Sequence, residues 1–278
     1  MMNEFPRTTV GGVSLPRLIV GTNWFLGYSH TSLAKDKFIK ALQTRERIAE
    51  VLAVFLDRGV DAVMAPLSQH LEEAIREAED RTGHPMTRIL TPSFNLLPGG
   101  DPASNPEAVL DQAKALGATF CLPHQCVTDA LVDRMHDVIR DIDRYTALIR
   151  EREMIPGLST HMPETVVIAD KTGADVETYI QIYNAAGFLM QVEADWVMRI
   201  IGNAKKPVMT IKPLAAGKLL PVVGLAFAWN TIRDQDMVVV GTTTADEARE
   251  VIDLSLTLLE RRLPDNELQR TRSKKSLE

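Results

Sequence analysis

Five polar side chains, His30, His124, His161, Glu193 and Lys212, are of the types that move protons, bind metals or hold anions. His124 closes an apolar segment over 119–123 and shares its parity with Phe120 and Leu122, so it should top a core and face a pocket. His161 follows a second such segment. Glu193 ends a third, read over 187–193, with Gln191 on the same parity. Two histidines and a carboxylate from neighbouring strand ends can make a three-ligand metal site (His124, His161, Glu193) with an open position. Such a site would polarise a carbonyl or activate water. Lys212 shares parity with Thr210, read as inward, and could form a Schiff base or hold an anion. An ion pair with Glu193 would set the protonation of both groups. The bland alternative for the whole set is separate polar groups lining a wet pocket, with His124 bonded to a neighbouring strand. Cys121 and Cys126 bracket His124, and parity turns Cys121 toward packing rather than chemistry.

Two further stretches belong with these residues. Gly241, Thr242, Thr243 and Thr244 precede a helix, where free N–H groups and the helix dipole favour an anion. Thr244 with Glu247 three residues on also reads as a capping box, and the two readings are compatible. His30 lies with Asn23, Trp24 and Tyr28 in a long polar and aromatic loop over 22–39, which suits a lid over a site.

The elements that must position these groups alternate along the chain. Residues 7–18 form a hairpin through Gly11-Gly12 and lead into a first strand over 17–21. Helical spacing over 45–58 ends at Gly59, and strands follow at 60–66, 88–92, 119–123, 155–159 and 187–193. Helices are read at 69–80, 106–116, 128–153, 163–171, 176–185 and 195–203, with a Pro/Gly-rich loop over 97–106. Two βα units complete the chain between Pro207 and Leu254, with Lys212 and Gly241 each at a strand end. Eight strand–helix units over this length predict a closed (β/α)8 TIM barrel with an N-terminal β-hairpin rather than an open sheet. One domain is expected over 1–262, with a polar tail at 263–278.

The 278 residues are 45% hydrophobic and 24% charged, ordinary for a globular protein with a sizeable core. A net charge of −6 argues against a nucleic-acid binder. Two cysteines are too few for a disulfide framework and imply a reducing, cytoplasmic setting. No apolar run suggests a signal peptide or a membrane span. A small-molecule substrate is the expected partner, and a homo-oligomer is compatible with the sequence.

Six short segments also resemble one family in order and spacing. They are Val10–Thr22, Leu122-Pro123-His124, Gly157-Leu158-Ser159-Thr160, Gln191-Val192-Glu193, Lys212-Pro213-Leu214-Ala215-Ala216-Gly217-Lys218-Leu219 and Val240-Gly241-Thr242. Together they resemble the aldo-keto reductases. The resemblance implies a (β/α)8 barrel, and a nicotinamide whose amide Ser159 and Gln191 would hold. It also implies a catalytic histidine at His124 and a phosphate loop at Gly241–Thr244. The family's Tyr after strand two is missing from 61–69, where the only Asp, Asp61, lies at the start of the strand; its lysine is missing from 90–93, and its stacking aromatic is Ile211 here.

With one of four catalytic residues in place, the expectation is a lyase, isomerase or hydrolase acting on a small polar or anionic carbonyl or hydroxyl compound. His124 and His161 would shuttle protons or bind metal, Glu193 would be base or ligand, and Lys212 would stabilise negative charge. The alternatives are an NADP(H)-dependent aldo-keto reductase with a proton donor from the first loop, and a non-catalytic ligand-binding protein. A divalent metal ranks ahead of NADP(H) as cofactor in this reading.

Overall fold

Gly11 and Gly12 adopt φ of +53° and +84°, the left-handed turn that folds β1 (Arg7–Val10) back onto β2 (Val13–Pro16). This hairpin precedes a barrel in the computed structural model, which describes residues 5–97, 99 and 101–262. The tail expected at 263–278 lies outside the described residues, as do Pro98 and Gly100 of the Pro/Gly-rich loop. In chain order the barrel runs β3 (Leu18–Gly21), α1 (Leu33–Leu42), α2 (Arg45–Leu56), β4 (Ala62–Ala65), α3 (Gln69–Thr82), β5 (Thr87–Leu90), α4 (Pro106–Ala115) and β6 (Ala118–Cys121). It continues with α5 (Gln125–Leu131), a short antiparallel pair β7 (Val132–Asp133) and β8 (Val138–Ile139), and α6 (Ile142–Glu151). Then come β9 (Ile155–Pro156), β10 (Leu158–Thr160), α7 (Pro163–Thr172), β11 (Tyr179–Ile182) and α8 (Ala194–Asn203). The last elements are β12 (Val208–Ile211), α9 (Pro221–Thr231), β13 (Met237–Val240) and α10 (Ala245–Leu259).

The parallel sheet has the order β10-β11-β12-β13-β3-β4-β5-β6-β9. Its two end strands are consecutive in sequence, separated by Gly157 alone. β9 pairs with β6 and β10 pairs with β11, so one strand interrupted at Gly157 closes an eight-stranded barrel. A Cβ on Gly157 would sit 2.8 Å from both Leu122 Cδ2 and the Thr178 carbonyl, so only glycine fits this seam. The chain is a (β/α)8 TIM barrel with an N-terminal β-hairpin.

Burial sorts the strand residues into two sets. Ile19, Met64, Ile89, Phe120, Ile180, Met209 and Met237 fill the barrel interior, where Val10 and Leu15 of the hairpin join them. Alternate residues such as Val20, Val63, Cys121 and Val238 pack outward against the helices.

Four expectations are corrected here. The sixth strand is β11 at Tyr179–Ile182, where a helix over 176–185 was expected; its β-branched and aromatic residues override the helical spacing. Residues 187–193, expected as that strand, are a connection that ends on the N-cap of α8. The loop expected over 22–39 is shorter, because the Ser32 hydroxyl accepts from the Lys35 N–H and starts α1. The stretch over 128–153, expected as one or two helices, holds the end of α5 and α6 with the β7–β8 pair between them.

Candidate active site

The C-terminal strand ends open into a cavity of about 1170 Å³. Its floor is the top layer of the barrel interior: Met64, Ile180, Ile211 and Val239. The chemical groups on its wall come from several strand ends and βα connections, as a barrel mouth requires. Ser159 is in register with inward-facing Ile180, and it lines the cavity.

His124 continues the inward parity of Phe120 and Leu122 and stands on the wall. It is also the N-cap of α5, its Nδ1 accepting the Cys126 backbone N–H at 3.4 Å. The same Nδ1 lies 3.1 Å from Cys126 Sγ, and that sulfur lies 3.2 Å from Ser93 Oγ. An Nδ1 committed as acceptor puts the ring proton on Nε2. Burial, then Lys212, hold the His124 imidazole below its ordinary pKa.

Lys212 lies one residue past Ile211, whose side chain belongs to the interior set. Thr210 is in register with Gln181, which is not of that set. Parity alone would therefore turn Lys212 outward, correcting the sequence argument. The backbone at Lys212 takes φ of +62°, which brings the side chain to the cavity nonetheless. His30 also has a left-handed φ, +58°, and Lys212 Nζ donates to its Nε2 at 2.7 Å. Left-handed conformations in residues other than glycine cost of order 1 kcal/mol or more each, and they concentrate at functional sites. Burial lowers the Lys212 ammonium to about 8. His161 is lowered to about 4 by burial, then by Lys212, His124 and His30. Its backbone N–H is held by the Asp129 carboxylate at 3.1 Å.

The loop after β13 is packed closely. A Cβ on Gly241 would lie 2.8 Å from Trp24 Cδ1 and 3.2 Å from the Gly21 carbonyl. Thr242 Oγ1 is sealed from solvent without a hydrogen-bond partner among the described residues, in the cavity wall. Thr243 is committed: its N–H and Oγ1 donate to Glu247 Oε2 at 2.6 and 2.7 Å. Thr244 caps α10, accepting the Glu247 N–H at 3.1 Å. Glu247 thus places its own carboxylate where the sequence suggested an external anion.

Glu193 and Gln191 do not line the cavity. Glu193 is the N-cap of α8, and Gln191 Oε1 takes a surface contact from Arg134 at 3.5 Å. Both were assigned through the misplaced sixth strand. The metal triad His124, His161 and Glu193 is therefore not assembled, nor do three His, Cys, Asp or Glu side chains group for a metal among the described residues. The glutamine on the true sixth strand, Gln181, is in register with Thr160, does not line the cavity, and has an Oε1 without a partner among the described residues. Ser93 is a cavity residue that sequence reasoning missed, and Cys126, noticed beside His124, was given no role there. The available signal was a thiol two residues beyond a strand-end histidine, at a helix start.

No family model matches the sequence, and no curated protein matches it. Solved structures do match over most of the chain. A Pseudomonas aeruginosa protein assigned to the aldo-keto reductases is 16% identical with a TM-score of 0.65, covering 93% of this chain and 99% of its own. An aldo/keto reductase from Brucella melitensis is 14% identical with a TM-score of 0.58, covering 94% and 99%. An aldo-keto reductase from Klebsiella pneumoniae, in complex with NADPH, is 15% identical with a TM-score of 0.55, covering 98% and 99%. At these identities the likeness establishes an aldo-keto-reductase-like barrel. It overturns the ranking of a lyase, isomerase or hydrolase ahead of an oxidoreductase: these neighbours are aldo-keto reductases, one of them holding NADPH. The carboxylate on which that ranking leaned is not at the mouth.

Proposed function

We propose that this chain is a nicotinamide-dependent oxidoreductase that interconverts small carbonyl compounds and alcohols at the barrel mouth. The observation that carries the reading is Thr242 Oγ1, a buried hydroxyl without a hydrogen-bond partner among the described residues, in a cavity also walled by Ser159 and His124. A sealed polar atom is costly unless a ligand completes it. Gly241 beside it packs against Trp24 and the Gly21 carbonyl, which holds the loop backbone at the cavity edge. The residues present fit a nicotinamide dinucleotide held by Ser159, Gly241 and Thr242, which when bound supplies a hydride. Neighbours of the same fold that carry NADPH or NADP support this choice. Two unpaired thiols suit a reducing cytoplasm.

The chain's own task is then to orient the carbonyl and deliver a proton to its oxygen. With Nδ1 facing the Cys126 thiol, Nε2–H is the donor that His124 has left for the cavity it lines. The proton leaves Nε2 for the developing alkoxide as Nδ1 takes the proton of Cys126 Sγ. A neutral imidazole backed by a second proton source replaces the missing tyrosine. Apolar Met64, Ile180 and Ile211 beneath exclude water and strengthen these contacts.

The test is nicotinamide oxidation with a panel of small aldehydes and ketones. His124→Gln should lower kcat about 10²- to 10⁴-fold with nucleotide binding retained. Cys126→Ala should give a smaller loss and move the pH profile of kcat. Full activity in His124→Gln would remove this mechanism.

A further inference from the structure

The cavity is lined by two ammonium groups, Lys35 and Lys212, and three imidazoles, and among the described residues its only carboxylates, Glu247 and Glu250, come from α10 beside the Gly241 loop. Among the described residues Lys212 has one hydrogen-bond partner, His30 Nε2, which is neutral when it accepts. Among the described residues the His161 ring has no hydrogen-bond partner, and the titratable groups acting on it are Lys212, His124 and His30. Asp36 acts on His30 from α1, but its carboxylate is committed to the Ser29 N–H and hydroxyl. Asp129 is turned away, onto Thr160 and the His161 backbone. A half-buried cation without a counter-ion is costly, and an incoming anion would relieve it. Lys212 retains two N–H donors after His30.

We propose that Lys212, with His30 behind it and the His161 ring beside it, clamps a carboxylate of the substrate, so that the compound turned over is an oxo acid or the corresponding hydroxy acid. Lys212 holds one carboxylate oxygen and the His161 ring N–H donates to the group, leaving the carbonyl for His124. This rests on the oxidoreductase reading for the reaction, though not for the binding. The same cation could serve a second source of anionic oxygen, the pyrophosphate of the nucleotide, and the experiment separates the two.

The probes are oxamate, a mimic of a 2-oxo acid, and inorganic pyrophosphate, each added without nucleotide to the whole protein. Histidine C–H resonances and titration calorimetry give the readouts. Oxamate should bind and raise the His161 titration from about 4, since a bound anion favours the imidazolium. Lys212→Met should weaken oxamate about 10- to 100-fold, the worth of a charged hydrogen bond, while Lys212→Arg retains most of the affinity. His161→Gln provides a second weakening that does not alter the left-handed turn at Lys212. Pyrophosphate should not compete. Oxamate that leaves the His161 titration unmoved, or that pyrophosphate displaces, would overturn the assignment. Oxamate binding without nicotinamide turnover of any oxo acid would uphold the clamp and remove the oxidoreductase reading instead.

Discussion

Lys212 and His30 are each held in a backbone conformation their side chains disfavour, and they meet at 2.7 Å in a barrel mouth. The cost is carried by the surrounding fold, and it sets the charges of the site. His161 shows this in pH dependence. Its pKa falls from the ordinary value near 6.5 to about 4 in the folded chain. Between those values the unfolded chain binds more protons, so stability rises with pH across the window and is lost as pH falls toward 4. Urea unfolding at intervals from pH 4 to 7 should show this slope, and His161→Gln should flatten it; parallel curves would contradict the assignment. Lys212, lowered to about 8, adds a slope of the same sign between there and about 10.4.

At the scale of elements, the seam between β9 and β10 is the most exacting place in the barrel. Gly157→Ala would push a methyl group against Leu122 and the Thr178 carbonyl at 2.8 Å. Overpacking of this kind costs about 1–3 kcal/mol, and the backbone carbonyl has little room to yield. A lowered midpoint of denaturant unfolding checks it, and an unchanged midpoint would mean the strand is not pinned there. Most of this architecture was legible, because strands such as Leu18–Gly21 and Met237–Val240 are apolar runs bounded by turns. The sixth strand was not. Thr178 to Tyr183 and Gly187 to Glu193 are both short apolar runs, and local pattern alone does not rank them. That displacement carried Gln191 and Glu193 into the expected site. His124 needed only strand parity, which the fold preserves. Lys212 was placed correctly by a parity argument that fails, because a positive φ past the strand end is invisible in composition. Cys126 was passed over because its partner is a ring nitrogen made available by capping geometry.

For the molecule as a whole, the barrel gathers His30, His124, His161, Lys212 and the Gly241 loop at one mouth. No helix among the described residues is long and apolar enough to cross a membrane. Glu247, bonded to Thr243, already fills the loop's anion position, so a dinucleotide there must rely on Thr242, Gly241 and Ser159. The most direct measurement is equilibrium binding of NADH and NADPH, followed by nicotinamide fluorescence excited through Trp24 on the cavity wall. Saturable one-to-one binding in the micromolar range is expected, weakened about tenfold by Thr242→Val, the loss of one buried hydrogen bond. Neither nucleotide changing its fluorescence at high protein concentration would contradict the account.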